Sequence, residues 1–251
     1  MQTKILPPDR RGMRSTSALI AGLGAFLASG IAGAQSLSVQ PVNIEMGPGQ
    51  RAAVLTVINH GARETSVQAR VLVWRQAEGH EELTPSSDVA VSPPIATLAP
   101  GATQVVRVVL LKPPRESEGT YRILIDQIPP AAEPGTVRIA LRQSIPVFAA
   151  PPTRVAPRLQ FRVESDNGQA FLVVQNDGSS HARIRDIALT SSAGTALGTP
   201  ANGSPYLLAG TTNRWPIDAR GYRLASGESL HLTATSDAGP LDQSVAVVTT
   251  P

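Results

Sequence analysis

The sequence predicts an all-β protein built from two sandwich domains. Three observations carry that expectation. Short runs rich in Val, Ile, Leu and Thr recur without helical periodicity. Clusters of Gly, Pro, Asn and Asp close them, and a proline-rich break divides the chain near residue 150. About seven strands in about 100 residues, twice over, fit two immunoglobulin-like Greek-key sandwiches. A single large barrel is the other arrangement these strands allow.

The runs follow in order. Residues 54–58 form one, closed by Asn59-His60-Gly61. In 67–74, Val67, Ala69, Val71 and Val73 alternate with Gln68, Arg70, Leu72 and Trp74, the period of a strand with two faces. Residues 88–92 stop at Pro93-Pro94, 104–111 follow, and 121–128 stop at Pro129-Pro130. Residues 137–148 make the last strand of the first half. Ala149-Ala150-Pro151-Pro152 reads as the linker, because proline fixes the chain direction and offers no ladder donor. The second half has runs at 159–163, 170–176, 182–190, 229–235 and 244–248, with turn signals at Asp166-Asn167-Gly168 and Asn176-Asp177-Gly178.

Residues 1–34 read as an export signal. Lys4, Arg10, Arg11 and Arg14 precede a short apolar stretch beginning at Ala18, and Ala32-Gly33-Ala34 fits a small-residue cleavage site. The stretch is shorter than the ~20 residues of a spanning helix. The expected layout is therefore a signal at 1–34, a first domain at 35–150 and a second at 151–251, with the mature protein in the periplasm and not inserted in the membrane.

Four of the 22 basic and one of the 19 acidic residues lie in 1–34, leaving 18 of each beyond it. That balance gives no basic footprint for nucleic acid. The chain has no cysteine, which removes thiol catalysis and thiolate metal sites. His60, His80, His181 and His231 are scattered without ligand spacing and read as surface or loop residues. Trp74 and Trp215 read as core residues, one per domain. Asp126 lacks a partner of matched chemistry for acid–base work. No carboxylate pair, triad or phosphate-binding glycine motif is visible, so neither an enzyme nor a cofactor is expected.

Residues 137–148 are the most informative segment. Val137, Ile139 and Leu141 share one strand face, extended by Ile145 and Val147, while Arg138, Ala140 and Arg142 share the other. Two readings of the alternation stand: the apolar face enters the domain's own core, or it is offered to a partner. Pro146 points to an edge or a strand end. A long apolar edge is an aggregation hazard unless strand donation is its task.

Ser38-Val39, Asn59, Trp74, Val91-Ser92-Pro93-Pro94, Leu98-Ala99-Pro100-Gly101 and Gln104-Val105-Val106-Arg107 stand in this order along the first half. Glu118-Gly119-Thr120-Tyr121-Arg122, Gln127-Ile128-Pro129-Pro130 and Ile145-Pro146-Val147-Phe148 follow. In this order and spacing the first half resembles the PapD-like periplasmic chaperones of pilus assembly. The second half, with Asn176-Asp177-Gly178, His181-Ala182-Arg183, Tyr206-Leu207-Leu208-Ala209-Gly210 and Trp215, is similar to the archaic subgroup serving spore-coat-U-type subunits.

The resemblance implies that the last first-domain strand fills the groove of a subunit lacking its own final strand. The implied donor side chains are Val137, Ile139, Leu141 and Ile145, each contributing about 1.5–3 kcal/mol on burial. The implied partners are pilus or coat-type subunits and an outer-membrane usher. The family holds the subunit's C-terminal carboxylate with an Arg and a Lys, but Asn43 and Pro146 occupy those positions here. Arg122 and Arg142 are the candidate replacements, with Arg107 and Arg154 behind them. The family's hinge Arg is replaced by Ala150, which leaves the interdomain geometry open. The alternative reading is an immunoglobulin-like subunit of a surface fibre.

Overall fold

The computed structural model describes residues 37–77, 80–129, 135, 139–166, 169–198, 204–219 and 221–249. The expected signal segment and Val137 lie outside the described residues. All regular elements within them are strands, as the sequence predicts.

The first domain contains β1 (Leu37–Gln40), β2 (Ile44–Met46), β3 (Ala52–Asn59), β4 (Thr65–Ala77), β5 (His80–Pro85), β6 (Val89–Ser92), β7 (Ile95–Leu98), β8 (Thr103–Leu110), β9 (Gly119–Ile128) and β10 (Arg142–Ala149). One sheet runs β1-β3-β8-β6 and the facing sheet runs β2-β10-β9-β4-β5, with β7 also on β4. The alternation read in the sequence sets the layers: Leu55, Val57, Val108, Ile123 and Val147 are fully buried between the two sheets. Each such side chain contributes about 1.5–3 kcal/mol by leaving water.

The second domain contains β11 (Leu159–Asp166), β12 (Gln169–Asn176), β13 (Ala182–Thr190), β14 (Ala196–Leu197), β15 (Tyr206–Leu207), β16 (Thr212–Ile217), β17 (Ser229–Ser236) and β18 (Gly239–Thr249). Its strands join in the order β14-β13-β17-β18-β11-β12-β16, with β15 on β13. This sheet folds over its own core of Val163, Leu172, Leu207, Leu230 and Leu232, to which Trp215 belongs. The short strands β2, β5, β7, β14 and β15 and the longer β16 are absent from the sequence reading. Most of them are too short to show alternation, and all six residues of β5 are exposed.

A buried asparagine braces each domain. The Asn59 amide donates to the carbonyls of Arg63, Leu98 and Ala99 at 2.8–3.2 Å, and its oxygen accepts from the Gly61 N–H at 2.9 Å. Asn176 repeats the pattern, donating to Ser180 and Leu208 and accepting from Gly178 and Arg158. Gly178 is required here for space. A Cβ on it would stand 2.3 Å from the Ala156 carbonyl oxygen, so the segment leading into β11 lies directly on this turn.

Candidate functional site

The strand order places β10 between β9 and β2. Its pairing with β9 is complete from Arg142 to Ala149, whereas β2 pairs in parallel only with Val147–Ala149. Among the described residues, positions 142–146 have no strand on that second side; Gln143 reaches the Leu37 carbonyl with its side chain alone. The upstream half of β10 is therefore an open edge with unpaired backbone groups.

The strand is shorter than the sequence predicts. Ile139, Ala140 and Leu141 precede it outside any strand ladder. The Leu141 carbonyl accepts from the Gln127 N–H at 2.8 Å, which keeps the segment in line with β9. Ile139 is 79% and Leu141 39% exposed. These two apolar side chains lie off the end of the core.

Ile145 requires a correction. It is 3% exposed and packs in the first-domain core with Ile123, its partner across the β9–β10 ladder. Strand parity sends Ile145 and Val147 inward where the second sheet covers them. Within its own sandwich the side chain is already spent.

The candidate cations are engaged as well. Arg142 faces Asp126 across the ladder and donates to it, and Arg70 binds the same carboxylate at 2.6 Å. Burial alone would raise the Asp126 carboxyl, but the hydrogen bonds from Arg142 and Arg70 outweigh it and hold the group below the usual carboxylate range. Arg122, opposite Pro146, lies 3.7 Å over the Trp74 ring and 3.5 Å from Glu81. Burial lowers the pKa of its guanidinium, with Glu81 opposing. Arg107 stands on the other sheet, between Val54 and Ser92, away from β10.

Trp74 also departs from the sequence reading. It is fully buried, but against Phe148, Tyr206 and Leu208 and outside the first-domain core. It points from the outer face of β4 into the junction of the domains. Gln76, two residues on, donates to the Tyr206 carbonyl at 2.8 Å and accepts from the Leu208 N–H at 2.9 Å. His181 is buried too, which corrects its reading as a surface residue. Its ring stacks on Phe148 at 3.5 Å, and its Nδ1 and backbone N–H both meet Glu118 Oε2, at 2.7 and 2.9 Å. These contacts stand where the sequence offers no hinge arginine. Residues 118 and 181 meet only through the fold, so no spacing rule finds them.

Beside this junction lies a cleft of about 710 Å³ whose lining includes Asn43, Glu45, Arg154, His181, Arg183 and Tyr206. Arg154 donates to Ser180 at 3.0 Å. Arg183, which the sequence brings in only through the His181-Ala182-Arg183 resemblance and not as a candidate cation, has a buried Nε without a hydrogen-bond partner.

Residues 36–154 match the family model described as pili and flagellar-assembly chaperone, PapD N-terminal domain. No curated protein sequence matches the chain. Among solved structures the chain is similar to one from the CsuC–CsuE chaperone–tip adhesion subunit pre-assembly complex of the archaic chaperone-usher Csu pili of Acinetobacter baumannii. Identity there is 20%, coverage 86% of this chain and 100% of that one, and the TM-score 0.63. A chain of the Salmonella enterica SafA pilin–SafB chaperone complex matches at 17% identity over 83% and 96%, with a TM-score of 0.60. The Pseudomonas aeruginosa CupB2 chaperone matches at 17% over 84% and 100%, with a TM-score of 0.55. At these identities the likeness is one of fold, and it spans both domains.

Proposed function

We propose, from the match of residues 36–154 to the family model of pili and flagellar-assembly chaperones, that the chain holds pilus or coat-type subunits by lending them the edge of β10. The observation that carries this reading is the open edge at 139–146, with Ile139 and Leu141 exposed ahead of a strand whose other end is locked into the core. A subunit strand placed there gains backbone hydrogen bonds, and its groove takes Leu141, Ile139 and, one step upstream, Val137. The free energy of strand pairing and apolar burial does the work, so the cycle needs no nucleotide.

The protein acts in the periplasm after removal of 1–34, and hands its clients to an outer-membrane usher. The likeness to the archaic Csu complex supports spore-coat-U-type clients. A fibre subunit is the weaker reading, because the first sandwich already has β10 in place beside β9 and keeps no groove of its own. The test is co-expression with a candidate subunit. The subunit should become soluble and co-purify with the wild-type chain. A subunit that aggregates equally with and without the chain sinks the proposal.

A further inference from the structure

We propose that His181 and Glu45 form a binding site for a divalent transition metal such as Zn²⁺ at the interdomain cleft, with Glu118 as the residue that orients the imidazole. The starting point is the tautomer. Glu118 Oε2 accepts from the His181 backbone N–H at 2.9 Å and lies 2.7 Å from Nδ1. A carboxylate only accepts, so Nδ1 carries a proton, and the neutral form of the ring then presents the Nε2 lone pair. The Phe148 stack fixes the plane of the ring. A histidine held through one nitrogen by a carboxylate, with the other nitrogen open, is the arrangement seen behind metal ligands.

Nε2 faces Glu45 Oε1 at 3.6 Å. The separation is compatible with an ion held between the two atoms. It exceeds the roughly 2.7–2.9 Å of a charged N–H···O bond. It fits two ligands of one ion, since atoms each about 2.0–2.2 Å from a tetrahedral or trigonal centre stand about 3.3–3.8 Å apart. The ligand atoms of Glu45, Glu118 and His181 all lie within 4.8 Å of one another. Asn43 donates to Glu45 Oε1 at 3.1 Å and keeps a buried amide oxygen without a partner on the same cleft wall. Glu45, Glu118 and Asp237 outnumber the nearby Arg154 and Arg183, so the local balance admits a cation. The remaining coordination positions open to the cleft.

The experiment is titration of the chelator-treated chain with Zn²⁺ alone, by calorimetry and by competition with a chromogenic chelator. Wild type should take up one equivalent, saturably, in the low micromolar range. Glu45→Gln should weaken uptake at least about tenfold, and Glu118→Gln about 10–100-fold. His181→Asn should abolish it. Wild-type imidazole nitrogen spectra provide the check that needs no variant: Zn²⁺ should move the His181 Nε2 resonance and leave those of His60, His80 and His231 in place. Absence of saturable uptake overturns the proposal. So does a His181 resonance that responds to pH but not to Zn²⁺, or a folded His181→Asn variant that binds as wild type does.

Discussion

Phe148, on the strand whose upstream end is an open edge, lies stacked on His181 of the second domain, rings 3.5 Å apart and 11° from parallel. The same strand thus carries the open edge at one end and the domain junction at the other. Gln76 reinforces the junction through Tyr206, Leu208 and Thr211. Gln76→Ala should cost about 1–3 kcal/mol, because it strands the Leu208 N–H and leaves the Tyr206 carbonyl only the 3.5 Å contact from the Asn213 amide. Urea unfolding followed by tryptophan fluorescence reads it, since Trp74 sits in the same cluster. An unchanged midpoint would show that the domains do not lean on this contact.

Ile139→Asp with Leu141→Asp should abolish client capture while leaving the free protein folded. The side chains are exposed, and exposed substitutions stay within about 0.5 kcal/mol of wild type. In the complex each carboxylate would have to enter an apolar groove unpaired. Co-purification measures the loss and thermal unfolding supplies the control. A double variant that unfolds by itself would place these residues in the domain's own stability.

Ile145→Ala should do the opposite. Its side chain is core, so truncation should destabilise the free chaperone by about 2–5 kcal/mol. Chemical denaturation of the isolated chain decides it, and a neutral result would return Ile145 to the donor face.

The contrast between Ile139 and Ile145 shows how far the sequence can be read. Both sit on one face of one alternating run, and periodicity treats them alike. What separates them is where the facing sheet ends, a fact of packing with no local signal. The long core strands were legible, because β3, β4, β8, β9 and β12 carry recurring Val, Ile and Leu along their length. The junction was not. Trp74 looks like core in any alternation, and Glu118 and His181 are 63 positions apart. The sequence offers Arg122 and Arg142 as candidate carboxylate anchors, but their partners Glu81 and Asp126 come from register, which composition does not reveal.

Asp126 gives a pH signature. Its folded carboxyl lies below the ordinary range, so it contributes stability above the unfolded value of about 3.9, lost as pH falls through the lower folded value. Asp126→Asn should therefore destabilise the protein at pH 7, with the difference from wild type closing in acid. Arg70 and Arg142 are 43% and 62% exposed, which limits the effect to about 1 kcal/mol. Paired melts between pH 7 and pH 2.5 test it. A gap that widens in acid would reverse the sign.

The anchor for a client's terminal carboxylate is the last prediction, and it rests on the chaperone reading. Arg142 is well solvated and already bound to Asp126, so a new anion gains little there. Arg122 is 13% exposed, stacked on Trp74, and paired only loosely to Glu81 at 3.5 Å. A desolvated guanidinium with a weak partner has more to gain from a second carboxylate, since charge-assisted hydrogen bonds are roughly twice as strong as neutral ones. Arg122→Ala should therefore reduce client yield more than Arg142→Ala. Deleting the client's last residue should add little to the Arg122 defect. Circular dichroism of the free variants controls for the lost ring contact. Equal yields from wild type, both single variants and the double variant would remove both arginines. The buried, unpaired Nε of Arg183 in the interdomain cleft would then be the next cation to test.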